Sequence, residues 1–129
     1  MKLGESPDLD PVLDAACLSQ LRALDPRGGD VFLLRVLDTY LRSLHLQSSA
    51  AAAAQASGDS KALSEAAHAL KSASGSVGAL ALAQRCAQIE DAVRMAELTA
   101  LPGLVTQFST EAARVRIAVE ALLVRGAAG

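Results

Sequence analysis

The chain has no tryptophan, one tyrosine and two phenylalanines, so aromatic residues make up only 2% of its 129 positions. Sandwiches and barrels draw on β-branched and aromatic side chains to cover pleated surfaces. Here 51% of residues are apolar with almost no rings, and a core of Leu, Ala, Val and Ile suits closely packed helices. Cysteine is equally scarce. Cys17 and Cys86 are far apart, with no CxxC and no Cys/His spacing for a metal, so both are expected as buried free thiols in a reducing compartment. No apolar run reaches the ~18 residues a membrane span needs, and the opening MKLGESPDLDP has no signal-peptide core, which together predict a cytoplasmic protein or the cytoplasmic part of something larger. Charge of one sign is lacking too: 12 Lys and Arg oppose 14 Asp and Glu, a net charge of −2. The nearest approach to a basic cluster, Arg114 and Arg116, reads as helix decoration, so a nucleic-acid surface is excluded.

The patterns present are helical throughout, and the length suits one domain. In DLDPVLDAACLSQLRAL, Asp10 is placed to cap a helix and Pro11 to occupy its first position. Val12, Leu13, Ala16, Cys17, Leu21 and Leu24 would share one face. After the break DPRGGD, a long helix is predicted over 30–57 on the stripe Val31, Leu34, Leu37, Leu41 and Leu44 beside Phe32, Val36 and Tyr40. The turn SGDS ends it at Gly58 and starts the next at Asp59 or Ser60. A third helix carries Leu63, Ala66, Ala67 and Leu70 to about Gly78. A fourth, 80–96, buries Leu82, Cys86, Ile89 and Val93; a fifth, 102–125, buries Phe108, Ala112, Val115, Val119 and Leu122. Short turns make neighbours antiparallel. The expected fold is therefore an all-α, antiparallel up-down four-helix bundle with a short additional N-terminal helix. Residues 1–9 are expected to be flexible, 10–125 to form the bundle, and 126–129 to fray.

With no strands there is no context for a Gly-rich phosphate loop, and GSVG at 75–78 lacks its length. No His/Glu pairing suggests a di-iron bundle site, and nothing supplies the strained turn and oxyanion hole of Ser/His/Asp catalysis. The anomaly lies elsewhere. In AAHALKSASGSVGALALAQRCAQIED, directly after His68 and Lys71, come Ser72, Ser74, Gly75, Ser76 and Gly78. Gly within a helix costs about 1 kcal/mol relative to Ala, so the thinning calls for a reason, and clearance around His68 supplies one. At helical spacing His68, Lys71, Ser72 and Gly75 share a face, opposite Leu63, Ala67, Leu70 and Ala73. A neutral imidazole is a good nucleophile near pH 7, and an ammonium one turn away can offset phosphoryl charge. If the chain turns at Ala79, His68 and Glu90 are each eleven positions from the turn and lie level. A carboxylate at Glu90 can then accept the Nδ1–H and leave Nε2 free. Two plainer readings stand beside this one: His68 as an ordinary surface histidine, and Glu90 as a salt-bridge partner of a Lys or Arg. His45 has no such neighbourhood and reads as a structural or surface residue.

At HALKSASGSVGA the sequence resembles the histidine-containing phosphotransfer (HPt) domain family, through His68, Leu70, Lys71, Ser72, Gly78 and Ala79. Downstream, Cys86, Ile89, Glu90, Ala92 and Arg94 continue the likeness, and upstream FLLRVLDTYL and GDSKAL match the usual lead-in. Ser72 stands where the family often has Gly, and Gly75 where Ala or Ser is more usual. The resemblance implies that His68 is the phosphoacceptor, Lys71 the phosphate-facing cation and Glu90 the residue that orients the imidazole, with Ser72 and Gly75 on the docking face. It implies a phosphorelay intermediate that exchanges a phosphoryl group with the aspartate of a response-regulator receiver domain or hybrid sensor kinase. Such a protein has no ATP site, autokinase activity, metal or cofactor of its own, the Mg²⁺ coming from the receiver, and acts as a monomer. The alternative is a bundle that binds receivers or kinases and regulates them without carrying phosphate.

Overall fold

The computed structural model describes residues 12–128, the side chains of 127 and 128 excepted. Its elements are α1 (Ala15–Ala23), α2 (Val31–Ser57), α3 (Ser60–Val77), α4 (Leu80–Arg94) and α5 (Leu101–Ala128), with single 3₁₀ turns at Pro26–Gly28 and Leu98–Ala100. Helices α2 to α5 form an up-down ring in which α2 and α4 each pack against both α3 and α5, while α1 lies against α2 and α3. This is the expected bundle with its additional leading helix.

Local chemistry sets most boundaries. The expected cap and proline, Asp10 and Pro11, lie outside the described residues; the helix starts at Ala15, where the Asp14 carboxylate accepts the Cys17 N–H at 3.1 Å. Asp30 precedes α2 but makes no side-chain cap, being paired instead with Arg22 Nε at 2.9 Å. Gly58 closes α2 in the left-handed region, and the Asp59 carboxylate then accepts the Ala62 N–H at 3.0 Å to open α3. Helix α4 stops at Arg94, two residues short of expectation: Ala96 adopts a φ of 57° and the Glu97 N–H returns to the Ala92 carbonyl at 2.8 Å. At its far end α5 continues to Ala128, past the predicted Arg125.

The core is aliphatic, as the shortage of rings requires. Leu37, Leu70, Leu82, Ile89, Val115 and Val119 are all fully buried, with Phe108 the single buried phenylalanine. The predicted faces of α3 and α4 hold, Val93 being half-buried. At α1 the anchors are Leu13, just before the helix, and Leu18, while Ala16 and Leu24, both expected on the inner face, are exposed; Leu24 keeps helical backbone at the C-cap, and six residues on from Leu18 it points away from that buried face. Each fully buried leucine contributes roughly 1.5–3 kcal/mol relative to exposure, so the stripes outweigh the cost of the glycines between them. Cys86 is buried and Cys17 half-buried, and both are free thiols. No helix among the described residues is long and apolar enough to cross a membrane.

Candidate functional site

The α3–α4 hairpin turns at Gly78 and Ala79, with the Ala79 N–H on the Ser74 carbonyl at 2.8 Å. Because the helices leave this turn antiparallel, the eleventh residue on each side meets its opposite number. His68 Nδ1 lies 2.8 Å from Glu90 Oε2. The His68 side chain is 71% exposed and that of Glu90 only 19%, so the imidazole stands outward on a largely sunken carboxylate. In the neutral ring Nδ1 donates to this carboxylate and Nε2 is the unprotonated nitrogen. Nε2 makes no hydrogen bond among the described residues.

Lys71, one turn on from His68, brings Nζ to 2.7 Å from Glu90 Oε1. One carboxylate therefore serves both residues, Oε2 toward the imidazole and Oε1 toward the ammonium. The salt-bridge reading of Glu90 and the imidazole reading both describe the geometry. Burial pushes the Glu90 carboxyl upward, but Lys71 and His68 outweigh it and hold the group below the usual carboxylate range. Cys86, one turn before Glu90, has its thiol pushed up to about 12, first by burial and then by the Glu90 charge, with Lys71 opposing. A buried thiol so far from ionisation is inert as a nucleophile.

The five small residues after Lys71 separate into different roles. Ser72 is exposed, and at Gly75 a Cβ would meet nothing within 4 Å, so these two leave open space on the face that carries His68. The Ser76 hydroxyl is used locally, donating to the Ser72 carbonyl at 3.2 Å. Ser74 and Gly78 do not serve clearance. Ser74 is fully buried and shares a 2.8 Å hydrogen bond with Tyr40 Oη, tying α3 to α2. Gly78 is buried with a φ of 85°, and the Asp14 N–H donates to its carbonyl at 2.8 Å. The expectation that all five give room around His68 fails for these two, because the helix turns them inward. Ser74 falls four residues after Leu70, in the core stripe, which is the sequence signal for a buried hydroxyl; its partner Tyr40 could not be read. Burial pushes the Tyr40 phenol up to about 12, the Ser74 hydrogen bond opposing.

His45 is exposed on α2, beside Ser48, Ser109 and Arg116. Among the described residues no group of three or more His, Cys, Asp or Glu side chains is placed to hold a metal ion. A cavity of about 800 Å³ is lined by Leu33, Leu34, Leu37 and Leu122 with Arg22 and Arg125, and shares no residue with the His68 cluster. Chemically, the cluster presents a free imidazole nitrogen, a carboxylate that fixes the ring, and an ammonium within one turn. That set can accept an electrophilic phosphoryl group.

The Hpt domain family model matches residues 35–123. A crystal structure of histidine-containing phosphotransfer protein B (HptB) from Pseudomonas aeruginosa PAO1 is similar, with a TM-score of 0.79 and 32% identity over 89% of this chain and 96% of that one. No curated protein sequence matches.

Proposed function

Since the chain belongs to the Hpt domain family, we propose that it is a histidine phosphotransfer protein of a two-component phosphorelay, with His68 as the phosphoacceptor. The observation that carries this reading is the 2.8 Å contact between His68 Nδ1 and Glu90 Oε2, which leaves Nε2 free on an exposed ring. The Nε2 lone pair attacks the phosphorus of an aspartyl phosphate on a receiver domain. A P–N bond forms, the P–O bond to aspartate breaks, and the aspartate leaves as carboxylate with the electron pair. Nδ1 keeps its proton throughout and donates it to Glu90 Oε2, which fixes the tautomer and offsets charge developing on the ring. The reverse sequence returns the group to a second receiver.

Lys71 is the cation for the phosphoryl oxygens. Ser72 and Gly75 leave the receiver room to bring its aspartate to Nε2. The Mg²⁺ belongs to the receiver, and this chain needs no ATP site or autokinase activity. The partners are receiver domains, freestanding or within a hybrid sensor kinase, and the protein acts as a cytoplasmic monomer. The test is transfer of label from a phosphorylated receiver. Acid-labile, base-stable label is expected on the wild type and none on His68→Gln. Absence of such label on the wild type, or equal label on His68→Gln, overturns the assignment.

A further inference from the structure

The carboxylate of Glu90 is divided between two partners, and the division has a cost when phosphate arrives. Oε1 is shut off from solvent and faces the Lys71 ammonium at 2.7 Å. A buried carboxylate oxygen without a counter-ion is expensive. Among the described residues no second cation stands on it: Arg94, one turn further along α4, is spent on Asp91 at 2.8 Å. Lys71 Nζ therefore cannot move to a phosphoryl group on Nε2 without uncovering Oε1.

We propose that Glu90 is the resting counter-ion of Lys71, and that phosphorylation of His68 is an exchange in which Lys71 leaves Glu90 Oε1 for the phosphoryl oxygens. The charge at position 90 then sets how tightly the phosphoryl group is held. This rests on His68 being the phosphoacceptor. Glu90 acts here as a positioning residue, through Lys71, in addition to its contact with the ring.

The balance is simple. Before transfer Lys71 has the Glu90 Oε1 contact; afterwards it has the phosphoryl contact and Oε1 has none, while Oε2 keeps its contact with His68 Nδ1. The net contribution of Lys71 to holding phosphate is the difference between these two contacts. With Gln at position 90 there is no ion pair to give up, and Lys71 contributes its whole phosphoryl contact.

A double-mutant cycle separates this from a merely structural role for Glu90. Protein is equilibrated with N-phosphoimidazole and imidazole, so that a P–N bond breaks on the small molecule as one forms at Nε2, and no receiver is required. The fraction of phosphorylated His68 is read by ³¹P NMR. Lys71→Met is expected to lower the equilibrium constant more in the Glu90→Gln background than in the wild type. The second effect exceeds the first by about fivefold, the equivalent of about 1 kcal/mol at 1.4 kcal/mol per tenfold. Glu90→Ala supplies an independent background lacking the charge, and circular dichroism checks the fold of each variant. An equal or smaller effect of Lys71→Met in both neutral backgrounds overturns the exchange while leaving phosphotransfer intact. No phosphorylation of His68 from any donor overturns the functional assignment, and the exchange with it.

Discussion

Replacing Gly78 with Ala tests how the hairpin that carries the site is held against α1. Gly78 has a φ of 85°, a region that costs a residue with a Cβ roughly 1–2 kcal/mol. The added Cβ would stand 2.8 Å from the Asp14 nitrogen, 3.0 Å from its oxygen and 3.0 Å from Cys17 Cβ. Two of these neighbours are backbone and cannot swing aside, and the Asp14 nitrogen is the donor to the Gly78 carbonyl. The start of α1 must shift, disturbing the burial of Leu13 and Leu18; crowding of this kind costs about 1–3 kcal/mol. Together the expected loss is about 2–5 kcal/mol, a large share of the 5–15 kcal/mol typical of a domain.

Two further glycines calibrate the experiment. Gly58 has a similar φ of 71° but open space for a Cβ, so Gly58→Ala should cost only the conformational part, about 1–2 kcal/mol. Gly75 lies within α3 with open space, so Gly75→Ala should stabilise by about 0.5–1 kcal/mol. Urea unfolding followed by far-ultraviolet circular dichroism gives the three values. If Gly78→Ala falls within about 0.5 kcal/mol of Gly58→Ala, the close approach of Asp14 stabilises nothing and the account of α1 is wrong.

At Gly75 the same open space predicts opposite outcomes for stability and function: Gly75→Leu should keep its helical spectrum yet block label transfer from a receiver, and unimpaired transfer would refute the bare-face argument. Tyr40→Phe strands the buried Ser74 hydroxyl and should cost about 1–3 kcal/mol in urea unfolding, whereas Tyr40→Phe combined with Ser74→Ala should cost less than the two single losses added, since no hydroxyl is left unpaired. The Glu90 carboxyl is held below its ordinary range, so its stabilisation is full above that range and is lost as pH falls through the lowered value. Glu90→Gln should flatten this acidic limb of the stability profile, and an unchanged limb would remove the ion cluster as its cause.

How much was legible from residues alone differs between fold and site. Five helices, their order and the inward faces of α3 and α4 follow from periodicity, because a 3.6-residue repeat of apolar side chains has one way to bury itself. The ends were less secure. Leu24 is read onto the inner face of α1, but the face actually buried is that of Leu18, and Ala96 closes α4 in a conformation that residue identity does not announce. In the site, the levelling of His68 with Glu90 could be counted from the turn, since antiparallel helices pair residues equally far from it.

What tertiary structure alone decided is which atoms meet. The run after Lys71 looked uniform in sequence, yet rotation of α3 sends Ser74 to Tyr40 on α2 and Gly78 to the backbone of Asp14, leaving Ser72 and Gly75 on the open face. The sharing of one Glu90 carboxylate between His68 and Lys71 is likewise a matter of three side chains on two helices. Periodicity determines the face on which a residue lies, because that depends only on its own helix. Contacts between helices depend on their relative rotation and height, which are set by packing the whole core at once.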